Sequence, residues 1–270
     1  MADGTVGAGD RGEWCRMSQE TMKNRTLLYA YGETRGPQSD QALGYPQPPF
    51  TAKKGEREKI SLPTDLQGVI TCNDFYQLVT GRKSSRLYEE DPLCLKELSY
   101  LLWMTQGVKE MAGVAHRVTL RNVPSAGARH ALETYVFVNR VEELEAGCYH
   151  YLPEEHGLER ISQDPQQIAK LSAAYCGQTF FGGSAVAFVW TAVPYRMEWR
   201  YGTMAEKLIL LDAGHVCQNL YLAAGSIGCG VCAIGAYEQD KADELLGLLE
   251  TRGQEREEEM VVYAASVGRK

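Results

Sequence analysis

The chain has 270 residues, of which 44% are hydrophobic, so it is long enough to bury the core of one domain and to carry an appended segment. Its formal net charge of −7 argues against non-specific binding to nucleic acid or to an anionic membrane surface. Any anionic ligand must therefore be held by a local cluster of cations.

Two features of the sequence predict a cytoplasmic protein with reduced cysteines. The longest mostly apolar run, residues 184–194, is too short to span a bilayer, and the N-terminus has no apolar segment of the kind that a signal peptide needs. The eight cysteines are scattered in apolar contexts, which is typical of small buried residues in a reducing compartment. Cys229 and Cys232 form a C-x-x-C pair, but no second pair or paired histidine accompanies it, so no metal is predicted.

The chain begins with a segment that carries little periodicity. Residues 1–64 are polar and rich in glycine and proline, and we interpret them as an N-terminal arm that packs over the domain or over a partner subunit. The main domain is predicted to occupy residues 65–270. Its first clear helix lies within residues 91–107, where leucines recur at helical spacing and Gly107 closes the pattern.

The rest of the domain mixes strand and helix patterns. A long helix over residues 205–228 is apolar on most faces, which is typical of a helix that is buried or lies at a subunit interface. The predicted fold class is α+β, because strands and helices mix without a regular βαβ order. The other predicted elements are strands over 132–141, 182–193 and 259–270, a hairpin over 147–161 with its turn at 153–157, and helices over 165–177 and 242–250.

A basic cluster lies before the first clear helix. In the stretch GRKSSRLY, Arg82, Lys83 and Arg86 accompany Ser84 and Ser85. Arginine can hold a phosphate through two parallel hydrogen bonds, and serine hydroxyls can complete the shell around its oxygens. An extended segment would point Arg82, Ser84 and Arg86 the same way. Taken alone, however, such a cluster is more often a solvated basic turn.

Two segments of small residues are further candidates for contact with a flat ligand. Pro124–Gly127 is a tight loop before a strand, and residues 230–237, GVCAIGAY, could present backbone N–H groups to a ring edge. An ordinary turn explains the first segment equally well. The sequence has no P-loop, no Rossmann glycine pattern and no legible catalytic triad, and the isolated His130 and His215 are more typical of core residues.

Taken in chain order, these segments resemble the nitroreductase-like FMN flavoprotein superfamily. The similarity is closest to the branch of SagB-type dehydrogenases, which oxidise azoline rings in modified peptides, and it covers residues 65–270. The stretch RKSSRLY resembles the family pattern R-R-S-x-R-x-[FY]. The other stretches that carry the resemblance are LKELSYLLWMTQG, PSAGARHALETYVFVNRV, GCYHYLPEEHGLERI, LLDAGHVCQNLYLAAGSIGCGVCAIGAY and the closing SVGR.

The resemblance implies a nitroreductase-like fold, with a central, mostly antiparallel sheet flanked by helices, in an intertwined homodimer that holds FMN at the subunit interface. Carried over by position, Arg82 and Ser84 would contact the phosphate and ribityl chain, and Arg86 would lie near N1 and O2 of the isoalloxazine. Lys83 stands where the family usually has arginine. Lysine keeps the positive charge but cannot donate the two parallel hydrogen bonds of a guanidinium. Arg269 would return to the phosphate.

The resemblance also implies that two segments lie against the flavin ring. The small-residue loop would approach it from the other subunit, and the end of the strand after the long helix would offer backbone to the N5/O4 edge. Ala128 departs from the asparagine often found after this loop in simple nitroreductases. The implied contacts are Pro124, Ser125, Ala126, Gly127, Ile234 and Gly235.

The activity implied by the resemblance is FMN-dependent oxidoreduction by a ping-pong reaction. NAD(P)H would reduce the flavin at N5, and a small acceptor such as a nitroaromatic or a quinone would reoxidise it. Because the flavin carries this chemistry, the implied activity does not require a catalytic acid or base, and none is visible in the sequence.

Two alternatives stay open, namely a SagB-type dehydrogenase of azoline rings and a non-catalytic flavin-binding protein. The SagB-type branch often has a Lys-Tyr pair before the L-[LE]-x-A-G-H segment of the long helix, but the matching positions here are Lys207 and Leu208. Tyr201 could replace the missing hydroxyl only if the fold brings it close. Lys207 and Tyr201 are therefore the sole catalytic candidates.

Overall fold

The computed structural model describes residues 23–28, 38–51, 55 and 57–270. The chain divides into two compact units, Met1–Gly36 and Pro37–Lys270. Within the described residues of the first unit, Arg25–Leu28 forms a short 3-10 helix. All elements considered below belong to the second unit.

The described part of the second unit contains nine strands and seven α-helices. The strands are β1 (Lys59–Ser61), β2 (Val108–Ala112), β3 (Val118–Arg121), β4 (Leu132–Val138), β5 (Gly147–Leu152), β6 (Gly157–Ser162), β7 (Val186–Ala192), β8 (Cys229–Ile234) and β9 (Met260–Arg269). The helices are α1 (Phe75–Gly81), α2 (Leu95–Gln106), α3 (Gln167–Ala174), α4 (Phe180–Gly183), α5 (Tyr195–Tyr201), α6 (Ala205–Ser226) and α7 (Gln239–Glu244).

Seven of the strands form one antiparallel sheet in the order β1-β6-β5-β4-β7-β9-β8, and β2 and β3 form a separate hairpin. The predicted α+β class and the mostly antiparallel central sheet are thus confirmed. The first strand, β1, lies within the segment predicted as an arm and pairs with β6, while the compact unit itself begins at Pro37. The domain boundary at residue 64 stays a prediction.

Helices cover both faces of the sheet because its strands alternate apolar side chains between two cores. Val136 and Val138 of β4 face the first core, to which α2 and α6 contribute Leu101 and Leu220. Phe137 faces the second core, which includes residues of α3, α4 and α7. The position of a residue along a strand therefore decides which of two separate environments its side chain enters.

The helix α2 begins and ends as its sequence predicts. The Glu97 carboxylate accepts a hydrogen bond from the Cys94 N–H at 2.9 Å, which satisfies one of the free donors at the helix start. At the other end the Gly107 N–H donates to the Trp103 carbonyl at 2.9 Å. A Cβ atom at Gly107 would lie 2.5 Å from the Trp103 ring, so only glycine fits here.

The predicted helix over residues 242–250 is wrong in its extent. The helix α7 ends at Glu244, and a separate 3-10 turn spans Leu248–Thr251. Between them Gly247 adopts a φ of 70°, a left-handed conformation that interrupts the helical path. None of the helices in the described residues is long and apolar enough to cross a membrane.

A buried ionic network lies on the second face of the sheet. Glu133 of β4 accepts a hydrogen bond from Arg196 and lies 3.0 Å from the Nε2 atom of His150, and all three residues are buried. Burial by itself raises the pKa of Glu133, but Arg196 and His150 outweigh that effect and hold the pKa at about 2. The carboxylate is therefore ionised in the folded state at neutral pH.

We expect Glu133→Gln to lower the free energy of unfolding at pH 7 by about 3 kcal/mol, since it leaves the buried Arg196 without its counter-charge. The folded-state pKa lies below the ordinary value of 4.5, so this stabilisation exists above pH 4.5 and is lost as the pH falls towards about 2. Urea unfolding of both proteins at pH 7 and at low pH measures the difference. The exposed Glu142→Gln is the control. Equal stability at pH 7, or a gap that persists in acid, contradicts the prediction.

Candidate functional site

The basic cluster lines a cleft of about 170 Å³ beside the end of α1. Arg82 and Lys83 contribute to its wall, together with Lys270 at the end of the chain and Tyr221 of α6. Within the part of the chain that the structure describes, no carboxylate forms an ion pair with any of these three cations. In a protein of net charge −7, three cations at one cleft without a described carboxylate partner make the cleft a candidate site for an anion.

The cluster is extended and runs beside β8. Ser84 forms an isolated parallel bridge with Val231, and the Ser85 N–H donates to the Val231 carbonyl at 2.8 Å. A Cβ atom at Gly230 would lie 2.6 Å from the Ser85 side chain, so the glycine allows this close approach. The extended path gives Arg82 and Ser84 the same orientation, as the two-residue period predicts.

Tyr221 joins the three elements of the cleft, and the sequence analysis missed it. Its hydroxyl lies 3.0 Å from the Ser84 Oγ atom and accepts a hydrogen bond from the Ala233 N–H at 2.9 Å. Its ring lies 5.1 Å from the Arg82 guanidinium carbon, within the range of a cation–π contact. One tyrosine in a helix that is apolar on most faces gives no signal in the sequence.

Arg86 lies at the other end of the cluster, close to the second half of β8. Burial raises the pKa of the Cys232 thiol, and the positive charge of Arg86 offsets part of that increase. Tyr88, which closes the RKSSRLY motif, donates to the Ser85 carbonyl at 2.6 Å and packs against Gly268. The motif thus anchors its own end on β9 and leaves Arg86 exposed beside β8.

Arg269 contacts other protein groups in the single chain, and its predicted contact with the phosphate stays a prediction. Its Nη2 atom donates to both carboxylate oxygens of Glu97 at 2.7 Å, and its Nη1 atom donates to the Ile227 carbonyl at 3.1 Å. These contacts tie β9 to the start of α2. The cation at the chain end that lines the cleft is Lys270.

The small-residue loop is held at a different place on α6. Asp212 accepts a hydrogen bond from the Ala126 N–H at 3.3 Å, and the Ser125 Oγ atom accepts one from the His130 N–H at 2.9 Å. Pro124–Gly127 does not line the cleft. Asp212 and Tyr221 are nine residues apart on α6, which corresponds to about 13.5 Å along the helix axis.

The remaining predicted contacts lie in two places. Ile234 is buried at the end of β8, and the exposed Gly235 follows it. Tyr201 reaches the small-residue loop, because a Cβ atom at Gly127 would lie 2.5 Å from the Tyr201 hydroxyl. Lys207 is half-buried in the first turn of α6. A single chain therefore brings together Arg82, Lys83 and Ser84 but does not bring the loop to the same cleft.

The C-x-x-C pair belongs to the core. Cys229 and Cys232 are both buried in β8 and are not joined by a disulfide. Burial raises the pKa of the Cys229 thiol to about 11, so it is protonated at neutral pH. Burial also raises the pKa of the Cys232 thiol, and Cys229 forms part of the cleft wall.

The chain is similar to several known proteins over most of the second unit. The model of the Nitroreductase family matches residues 79–269. A protein of Methanocaldococcus jannaschii whose name places it with the nitroreductases is 33% identical over 196 residues, which cover 73% of this chain and 93% of that protein. A crystal structure from Anabaena variabilis that carries a nitroreductase name superposes with a TM-score of 0.60 at 25% identity, over 79% of this chain and 42% of that longer one.

A third relative has a more specific name. The trifolitoxin-processing protein TfxF of Rhizobium leguminosarum bv. trifolii is 34% identical over 136 residues, which cover 50% of this chain and 43% of that protein. This chain therefore spans less than half of that relative. The match of the family model to more than half of the chain, together with the archaeal relative, confirms the predicted family: the chain belongs to the nitroreductase family and is an oxidoreductase.

Proposed function

We propose that this protein is an FMN-dependent oxidoreductase that moves reducing equivalents from NAD(P)H to a small acceptor such as a nitroaromatic or a quinone. The observation that carries the proposal is the cleft in which Arg82, Lys83 and Lys270 have no carboxylate partner among the residues that the structure describes. A phosphate monoester is a small dianion at neutral pH, and such a group fits a cluster of cations and hydroxyls.

The residues of the cleft have complementary roles towards the FMN phosphate. Arg82 would donate through its planar fork, and the lysines would contribute point charges. With the Tyr221 O–H donating to the Ser84 Oγ atom, the serine keeps its own hydrogen for a phosphate oxygen. Tyr221 therefore orients a hydroxyl that would otherwise rotate freely.

The redox chemistry itself does not depend on a catalytic side chain. When bound, FMN supplies the hydride chemistry at N5, so the chain has to bind, orient and exclude water. Arg86, exposed beside the second half of β8, would place a positive charge near the ring and favour its anionic reduced form. The backbone at Ile234 and Gly235 would border the ring edge.

The size of the cleft supports a site that is completed by a second copy of the chain. A volume of about 170 Å³ is smaller than the roughly 300–1,000 Å³ of typical cofactor pockets, so one chain encloses only part of FMN. The helix α1 has no buried residue, and its Phe75 and Tyr76 are more than 70% exposed. On α6 Leu210 and Leu211 are more than half exposed. We infer a homodimer that buries these surfaces and brings the loop of one subunit to the cleft of the other.

We expect Tyr221→Phe to weaken FMN binding about fivefold, since it removes one hydrogen bond to Ser84, worth about 1 kcal/mol, and leaves the hydroxyl of the serine free to rotate. Titration of the apoprotein with FMN, followed by flavin fluorescence, measures the effect. Tyr45→Phe, at an exposed tyrosine that lies outside the cleft and outside α1 and α6, is the matched control. An unchanged dissociation constant for Tyr221→Phe would show that the phosphate does not depend on this network.

The proposed activity is tested by adding NADH or NADPH to the purified protein without oxygen. The expected result is that one of the two bleaches the yellow colour and that a nitroaromatic or quinone restores it. Yellow protein that neither nucleotide bleaches argues against the proposed reaction and favours peptide oxidation or a non-catalytic flavin-binding role. Screening acceptors against the reduced protein then identifies the preferred oxidant.

Oxidation of an azoline ring in a modified peptide is the second candidate function. The similarity to a trifolitoxin-processing protein favours it, and the SagB-type branch resembles this chain in the same segments. The missing hydroxyl at Leu208 could be supplied by Tyr201, which lies against the small-residue loop. In this case Tyr201→Phe would slow oxidation of an azoline peptide at least tenfold, while Tyr45→Phe would not. Failure of the wild type to oxidise such a peptide excludes this candidate.

A further inference from the structure

A cavity of about 600 Å³ lies on the face of the sheet opposite α2 and α6. Three paired residues on adjacent strands form its floor. Tyr135 of β4 lies opposite His150 of β5, and His150 lies opposite Glu159 of β6. The cavity shares no lining residue with the cleft of the basic cluster. Its volume is sufficient for a small organic molecule.

Glu159 is the unusual residue in this floor. It is only 3% exposed, and its Oε1 atom is buried without a hydrogen-bond partner among the described residues. Lys59 of β1 lies opposite Glu159 in the sheet, but its Nζ atom is directed to Glu155 and lies 3.5 Å from the Oε2 atom of that residue. Arg57 lines the same cavity but forms no ion pair with Glu159. A buried carboxylate that lacks a counter-charge is unfavourable, so a positively charged ligand at this position would stabilise it.

The other acidic residues of the cavity already have their partners. Glu133 is paired with Arg196 in the network described above. Glu259 accepts hydrogen bonds from two hydroxyl groups, at 2.5 and 3.1 Å, and burial raises its pKa. Glu257, also in the lining, has a partner of its own. Within the described lining, Glu159 is thus the carboxylate that has neither a side-chain hydrogen bond nor an ion pair.

The walls of the cavity favour an apolar body for the ligand. Ile161 follows Glu159 on the same side of β6, and Leu246 and several prolines complete an apolar lining. Tyr195 adds an aromatic ring, over which the Arg256 guanidinium lies at 5.2 Å. Together with the buried carboxylate, these walls select a ligand that is positively charged at one end and apolar elsewhere.

We propose that this cavity binds a small molecule that carries a protonated amine on an apolar or aromatic body, with the amine at the Glu159 carboxylate. The site is separate from the flavin cleft, so the protein carries a second binding site on the other side of its sheet. The proposal does not depend on the identity of the electron acceptor.

The experiment is calorimetric titration of the full-length protein, as purified, with phenethylamine at pH 7. Phenethylamine is expected to bind saturably, and its neutral analogue 2-phenylethanol at least tenfold more weakly. Glu159→Gln keeps the shape of the side chain but removes its charge, and it is expected to weaken phenethylamine binding at least tenfold. Glu142→Gln, an exposed position outside the lining, is expected to bind as the wild type does.

A second variant tests the same cavity in case Glu159→Gln fails to fold. Ile161→Trp fills the cavity and leaves the carboxylate in place, so it should also weaken binding of phenethylamine. Flavin content should be unchanged in both variants, and neither should unfold at a lower temperature than the wild type, which separates a failure here from a failure of the proposed oxidoreductase function. The absence of saturable binding by wild type, equal binding of the amine and the alcohol, or unchanged affinity in Glu159→Gln would each overturn the proposal. Binding of a lysine-containing tripeptide in place of phenethylamine would overturn the assignment to a small molecule.

Discussion

Replacement of Arg82 by alanine is expected to remove flavin from the purified protein, with FMN affinity lowered by about 10- to 100-fold, as for the loss of a charge-assisted hydrogen bond to phosphate. Arg82 is exposed, and the described contact that its guanidinium makes within the chain is the cation–π contact with Tyr221. Because the fold does not depend on this side chain, thermal unfolding of the apoprotein should be unchanged. The measurement is flavin content after purification, followed by titration with FMN.

The control for this variant is Arg117→Ala. Arg117 is also an exposed arginine, but it lies on the β2–β3 hairpin, away from the cleft. It should retain flavin as the wild type does. Full flavin occupancy in Arg82→Ala would show that the phosphate lies elsewhere. Loss of flavin in both variants would point to a general charge effect instead of a specific contact.

The second large effect is expected from a charge on the exposed side of α6. Leu211 is 52% exposed in the single chain, and the inferred homodimer buries it. Leu211→Glu would place two desolvated carboxylates in a symmetric interface, at a cost of about 3 kcal/mol or more, which weakens dimerisation at least about 100-fold. Sedimentation at micromolar concentration should find a dimer for the wild type and a folded monomer for the variant. The monomer should also lose flavin.

Val114→Glu is the control for the charge itself, since Val114 is fully exposed at the tip of the β2–β3 hairpin. This variant should remain a dimer that contains flavin. If wild type sediments as a monomer that carries flavin, the inferred interface and its contribution to the site are both wrong. If Leu211→Glu remains dimeric, α6 does not form the interface.

Local sequence patterns were sufficient to predict much of the fold. The leucine spacing of α2 and the closing Gly107 depend on neighbours within one helix, and the structure confirms both. The helix α7 was predicted too long because Gly247 could have been accommodated in a helix, and its left-handed conformation follows from its surroundings. The basic cluster was identified from residue types alone, and its extended path beside β8 places Arg82 and Ser84 as the two-residue period predicts.

Contacts between distant segments could not be predicted in the same way. Arg269 is paired with Glu97, 172 positions away, and no local pattern distinguishes it from a phosphate ligand. Glu159 is unpaired because of the register of three strands and the position of Lys59, which only the folded sheet determines. Tyr221 likewise acquires its role from the loop that folds against it.

The central claim is that the cluster of cations holds the phosphate of FMN. The most direct test is to denature the purified protein, identify the flavin that is released and count it per chain. The account predicts FMN, at about one molecule for each chain of a dimer, with the phosphate required for tight binding, so that riboflavin binds at least tenfold more weakly. A colourless protein that takes up no FMN on reconstitution, or one that binds riboflavin equally well, would contradict it.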